Sequence, residues 1–154
     1  MRIYLDASVL IALLAEEPAS GAVRRFLRAH LEDRLISDFA AAEVASAISR
    51  LLRMRLLTEG EGSTRLADFD AWRAAATSAA DMHAADARLA YVYVRRFDLD
   101  LRAPDALHLA ITRRLDATLV TLDQRLINAA NQLGIAVAEL DRELSDNALA
   151  QASF

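Results

Sequence analysis

Four acidic residues in four separate stretches of this chain could together do chemistry that none could do alone: Asp6, Glu43, Asp105 and Asp123. Two carboxylates about 5 Å apart repel by about 3 kcal/mol at an effective dielectric of about 20. Four such charges in one place would protonate or spread apart unless a cation neutralised them. The donors are all oxygen, cysteine is absent and the histidines do not cluster. That set suits Mg²⁺ or Mn²⁺ better than zinc. Such an ion activates a water and stabilises charge on a phosphate being displaced.

Each acid also has an ordinary explanation. Asp105 complements a helix dipole, and Asp6 and Asp123 sit where helix caps belong. Glu43 lies in AAAEVASA, an acid among small residues, where a solvated helix face competes with close packing and a partner. Joint placement is the argument for a site.

The elements that must position them read as follows. Arg2 to Leu5 is a short buried strand ended by Asp6, and Ala7 to Ala15 is a helix with Ser8 as its cap. Pro18 opens a second helix to about His30, and Arg34 to Ser37 is a second strand. Asp38 caps a helix from Phe39 to about Leu56, with Val44, Ile48, Leu51 and Leu52 as its apolar stripe. Gly60 and Gly62 mark a break, and Ser63 caps a helix to about Ala76. Thr77 to Met82 reads as loop or weak strand, and Ala84 to Phe97 as helix.

Asp98 to Ala103 is a loop, after which Pro104 begins a helix carrying Asp105 to Arg114. Thr118 to Thr121 is a strand followed by Asp123. Leu126 to Leu133 is a helix stopped by Gly134, and Ile135 to Ala138 is a last strand. Short apolar strands alternating with helices predict a parallel sheet covered on both faces. In such sheets ligands bind beyond the carboxyl ends of the strands, where Asp6 and Asp123 stand.

At 154 residues and 55% apolar content, the chain suits one domain with a substantial core. The expected organisation is a domain over residues 1–140 and a C-terminal tail over 141–154. Without cysteine there is neither a disulfide nor a thiolate ligand. The apolar N-terminus is interrupted by Asp6, so a signal peptide is not expected, nor is a membrane span. A cytoplasmic location is the expectation. Net charge is −4, which argues against adhesion to nucleic acid through bulk charge, though not against a local basic groove. All 18 basic residues are arginine, which excludes any mechanism that needs a lysine.

RIYLDASVLIALL, ISDFAAAEVASAI, RAPDALHLAIT and ATLVTLDQRL resemble, in order and spacing, the motifs of PIN-domain ribonucleases, above all the VapC-type toxins of bacterial toxin–antitoxin pairs. The resemblance covers about residues 1–140. It implies an α/β fold, a PIN-like three-layer α/β/α arrangement around a short, mostly parallel sheet. It also implies a Mg²⁺- or Mn²⁺-dependent endoribonuclease with Asp6, Glu43, Asp105 and Asp123 as catalytic acids. Asp6 and Asp105 are the expected direct ligands, with Asp123 and Glu43 completing the site or acting through water. Ser8 and Thr121 match small hydroxyl positions beside it. An RNA substrate, a homodimer and an inhibiting antitoxin are implied as well.

His108, three residues after Asp105, reads as a helix residue packing beside the site, with metal binding as the alternative. Asp86 reads as part of a solvated helix face. Of the arginine groups, Arg50 to Arg55 is the favoured RNA contact, because it continues the helix that carries Glu43. The competing readings are a phosphohydrolase with an acidic metal site and a non-catalytic binding module. The haloacid-dehalogenase version of the first needs an aspartate where Ser8 stands and generally a lysine.

Overall fold

The computed structural model describes residues 1–15, 17–30 and 33–140. The tail expected over 141–154 lies outside the described residues. The strands are β1 (Arg2–Leu5), β2 (Asp33–Ser37), β3 (Ser78–Ala80) and β4 (Thr118–Val120). All four are parallel, in the order β3-β2-β1-β4. The helices are α1 (Ala7–Leu14), α2 (Ser20–Ala29), α3 (Asp38–Arg53), α4 (Glu59–Ala76), α5 (Ala84–Val94), α6 (Ala103–Arg114) and α7 (Gln124–Gln132). Alternation along β1 divides the core. Tyr4 faces a cluster built from α5, α6 and α7, while Ile3 and Leu5 face one built from α1, α2, α3 and Phe69 of α4. The result is the three-layer α/β/α arrangement, with a sheet that is parallel throughout.

Several local expectations are corrected. Asp6, not Ser8, caps α1, accepting from the Val9 N–H. Ser37, not Asp38, caps α3, which ends at Arg53 rather than Leu56. The expected break at Gly60 and Gly62 lies inside α4. Thr58 caps that helix, with Glu61 reaching back in a capping box that gives it an earlier start than Ser63. Gly62 faces α3: a Cβ there would lie 2.6 Å from Leu52 Cδ1. The stretch at 77–82, read as loop or weak strand, does hold a short edge strand, β3 over Ser78–Ala80. The last strand shrinks to one bridge, Val137 against Leu119. Gly134 does end α7, at φ +69°.

Candidate functional site

β1, β2 and β4 all end at the same edge of the sheet, so the segments leaving them share that edge. Asp6 follows β1, Glu43 stands on α3, which leaves β2 directly, and Asp123 lies just past β4. Asp105 reaches the edge differently. A three-residue link joins the C-terminus of α6 to the start of β4. The opposite end of α6, with Asp105 in its first turn, therefore lies toward the strands' carboxyl ends.

Asp6 is 4% exposed. Its Oδ1 accepts from Ser8 Oγ at 2.7 Å and from the Val9 N–H at 3.2 Å, and its Oδ2 from Thr121 Oγ1 at 2.6 Å. Burial pushes the Asp6 carboxyl above its ordinary range, and these hydrogen bonds counter that only in part. Among the described residues no arginine pairs with it. The cluster continues toward Asp123. Ser8 Oγ accepts from the Leu122 N–H, and Thr121 Oγ1 accepts from the Asp123 N–H. Asp123 caps α7 through Oδ1.

The other two acids are held by nitrogen. Asp105, 7% exposed, accepts on Oδ2 from the Arg102 N–H and from Arg102 Nε at 3.2 Å. Glu43 Oε2 lies 2.6 Å from His108 Nε2. His108 Nδ1 meets Tyr4 Oη at 2.8 Å, and Tyr4 Oη meets Ser37 Oγ at 2.8 Å. Burial raises the Tyr4 phenol far above its ordinary range, so it stays protonated. Sequence reading missed Tyr4 altogether, and weighed His108 as a packing neighbour or a metal ligand, not as a partner of Glu43. The single usable signal was an aromatic hydroxyl inside an otherwise aliphatic strand, which when buried needs a partner.

Glu43, Arg50 and Arg102 line one groove of about 860 Å³, floored by Ile11, Ala47 and Leu51. Among the described residues, no three acid or histidine side chains converge closely enough to hold a metal ion together. Asp6, Ser8, Thr121 and Asp123 form one linked shell, and Glu43 with His108 another. Asp105 joins the groove through Arg102. The donor chemistry nevertheless fits a hard divalent cation: carboxylate and hydroxyl oxygens around a buried carboxylate that no arginine among the described residues pairs with. Asp86 is corrected. It is buried, not solvated, and pairs with Arg114 at 2.7 Å.

No helix among the described residues is long and apolar enough to cross a membrane. Residues 3–132 match the family model described as PIN domain. Ribonuclease VapC46 of Mycobacterium tuberculosis is 35% identical over 138 residues, covering 88% of this chain and 95% of that protein. Among solved structures, the VapC20 toxin of the same organism, described as cleaving the sarcin-ricin loop, superposes with a TM-score of 0.70 at 16% identity, covering 88% of this chain and 98% of that one. VapBC2 from Rickettsia felis, bound to a DNA fragment, gives 0.70 at 14% identity, covering 92% of this chain and 100% of that one. Those two likenesses concern the fold. With a matching family model over most of its length and a relative this similar end to end, the chain belongs to the PIN-domain family, in its VapC branch.

Proposed function

We propose that this protein is a VapC-type endoribonuclease whose 1–140 domain hydrolyses RNA phosphodiesters at the acidic edge of its sheet, with Mg²⁺ or Mn²⁺ as cofactor. The observation that carries the reading is the buried Asp6 carboxylate, held by hydroxyls and, among the described residues, without an arginine partner, in a chain of this family. Asp6, Asp105 and Asp123 would hold the cation, with Glu43 completing the site. When bound, the cation supplies an activated water and neutralises charge at the phosphate. Ser8 and Thr121 orient Asp6. Arg50, in the groove beside Glu43, contacts the RNA backbone.

The test is cleavage of single-stranded RNA by purified protein, with Mn²⁺, Mg²⁺ or EDTA. Cleavage with either ion, its loss in EDTA and its loss in Asp105→Ala are expected. Undiminished cleavage by Asp105→Ala, or in EDTA, overturns the reading.

An antitoxin partner and a homodimer complete the proposal. The Rickettsia felis relative is a VapBC assembly, and a small DNA-binding protein encoded beside this chain is the expected inhibitor. Co-purification of the two with loss of RNA cleavage supports that assignment; independent migration and undiminished cleavage oppose it. Light scattering of the isolated chain gives its mass, and a monomer refutes the dimer.

A further inference from the structure

We propose that Tyr4 and His108 are positioning residues that aim Glu43, through a buried hydrogen-bonded relay running from Ser37 to the acidic edge. The proposal rests on the nuclease reading above and adds to it the group that sets one of its acids. The relay starts and ends on α3. Ser37 caps that helix, Tyr4 lies in the middle of β1, His108 lies on α6, and Glu43 stands on α3 one turn and a half beyond the cap. It therefore ties three elements to one carboxylate.

Donor counting fixes its direction. Ser37 Oγ accepts the Ala40 N–H at 3.1 Å, and among the described residues Tyr4 Oη is the acceptor within reach of its own proton. Tyr4 then donates to His108 Nδ1, and His108 Nε2–H donates to Glu43 Oε2. Every link is satisfied in that order. The reverse order leaves the Ser37 proton with no acceptor among the described residues, in a residue that is 0% exposed, a costly arrangement in a dry interior. The ring is further boxed by Phe39 and Tyr4, at 5.2 and 5.7 Å between centroids. With its two nitrogens used, His108 has no lone pair left for a metal. Its work is to hold one oxygen of Glu43 and leave Oε1, which makes no hydrogen bond among the described residues, to the groove.

The test is a double-mutant cycle between Tyr4→Phe and Glu43→Ala, read as RNA cleavage and as Mn²⁺ affinity by calorimetry on RNA-free protein. Tyr4→Phe keeps the ring and removes only the relay. It is expected to lower kcat about tenfold with KM unchanged, in the range for loss of an outer partner of a metal site. In the Glu43→Ala background it should cost nothing further in either measurement. An equal loss there overturns the relay, because Tyr4 would then act independently of Glu43. Should Tyr4→Phe fail to fold, His108→Gln and His108→Asn replace it. The longer amide reaches Glu43 and should retain about tenfold more activity; equal activities overturn the proposal. A wild-type protein that binds Mn²⁺ but cuts no RNA refutes the nuclease reading alone, and the affinity cycle still decides the relay. A wild-type protein that does neither refutes both.

Discussion

Asp6 and Asp86 are both buried aspartates, at 4% and 2% exposure, and they are buried in opposite ways. Asp86 meets Arg114 through two hydrogen bonds and accepts the His83 N–H. Burial pushes its carboxyl up, but the guanidinium and the amide outweigh it and hold it below the ordinary range. Among the described residues Asp6 receives hydroxyls and one amide but no arginine, and its carboxyl is raised. A buried acid with its counter-charge built in is complete and ties α5 to α6. A buried acid without one is kept at a cost to folding, which supports the proposal that Asp6 holds the cation.

The comparison breaks first at activity. Asp6→Asn should lower RNA cleavage more than about 100-fold, beyond the range for losing an outer partner. Without metal, its urea midpoint should be at least that of the wild type. A large fall in stability would place Asp6 with Asp86 as a structural acid. Asp86→Ala should do the reverse. We expect a loss of about 3 kcal/mol, at the low end for breaking a buried pair, because Arg114 keeps 24% of its side chain exposed. Its cleavage per folded molecule should match the wild type in an assay below the unfolding midpoint.

Thr121→Val sharpens the contrast by removing the hydroxyl that reaches Asp6 Oδ2 at 2.6 Å. A fall in kcat of about tenfold is expected, with no comparable change for Thr112→Val, which lies toward the opposite end of α6 from Asp105. The smallest effect is the pH dependence of stability in EDTA, and its sign differs between the two acids. The folded value of Asp6 lies above 3.8. The native state therefore binds that proton more tightly, and stability falls as pH rises from 3.8 through the raised value. The folded value of Asp86 lies below 3.8. Its contribution is full above 3.8 and is lost as pH falls through the lowered value. Against the wild type at pH 7, Asp6→Asn should be the more stable and Asp86→Ala the less stable. The Asp6 gap should shrink as pH falls through the raised value to 3.8, and the Asp86 gap as pH falls below 3.8 through the lowered value. Equal signs at pH 7 would erase the distinction.

Strands β1, β2 and β4 were readable because buried parallel strands are continuous apolar runs, and RIYL, RLIS and TLVT stand out as such. The start of α4 was misread because two glycines outweighed the T-x-x-E signature at Thr58 and Glu61, although Gly62 is there to let α3 approach. Caps slipped by a residue or two wherever neighbouring residues could all cap, as at Asp6 and Ser8 or Ser37 and Asp38. Asp86 was misjudged because helical periodicity cannot see an arginine 28 positions away. For the same reason Tyr4 stayed invisible: its partner His108 is 104 residues distant. Acids at strand ends are legible from spacing alone, whereas what holds each one is not.

Thr121 and Asp6 are separated by 115 residues, and β4, the strand that brings Thr121 to β1, is the last of the sheet to be made. On a translating ribosome, every earlier element is synthesised before Asp6 can receive that hydroxyl. A nascent or prematurely ended chain that stops short of residue 121 lacks the assembled pocket. The topology thus makes the Asp6–Thr121 hydrogen bond one of the last contacts of the sheet that synthesis can supply.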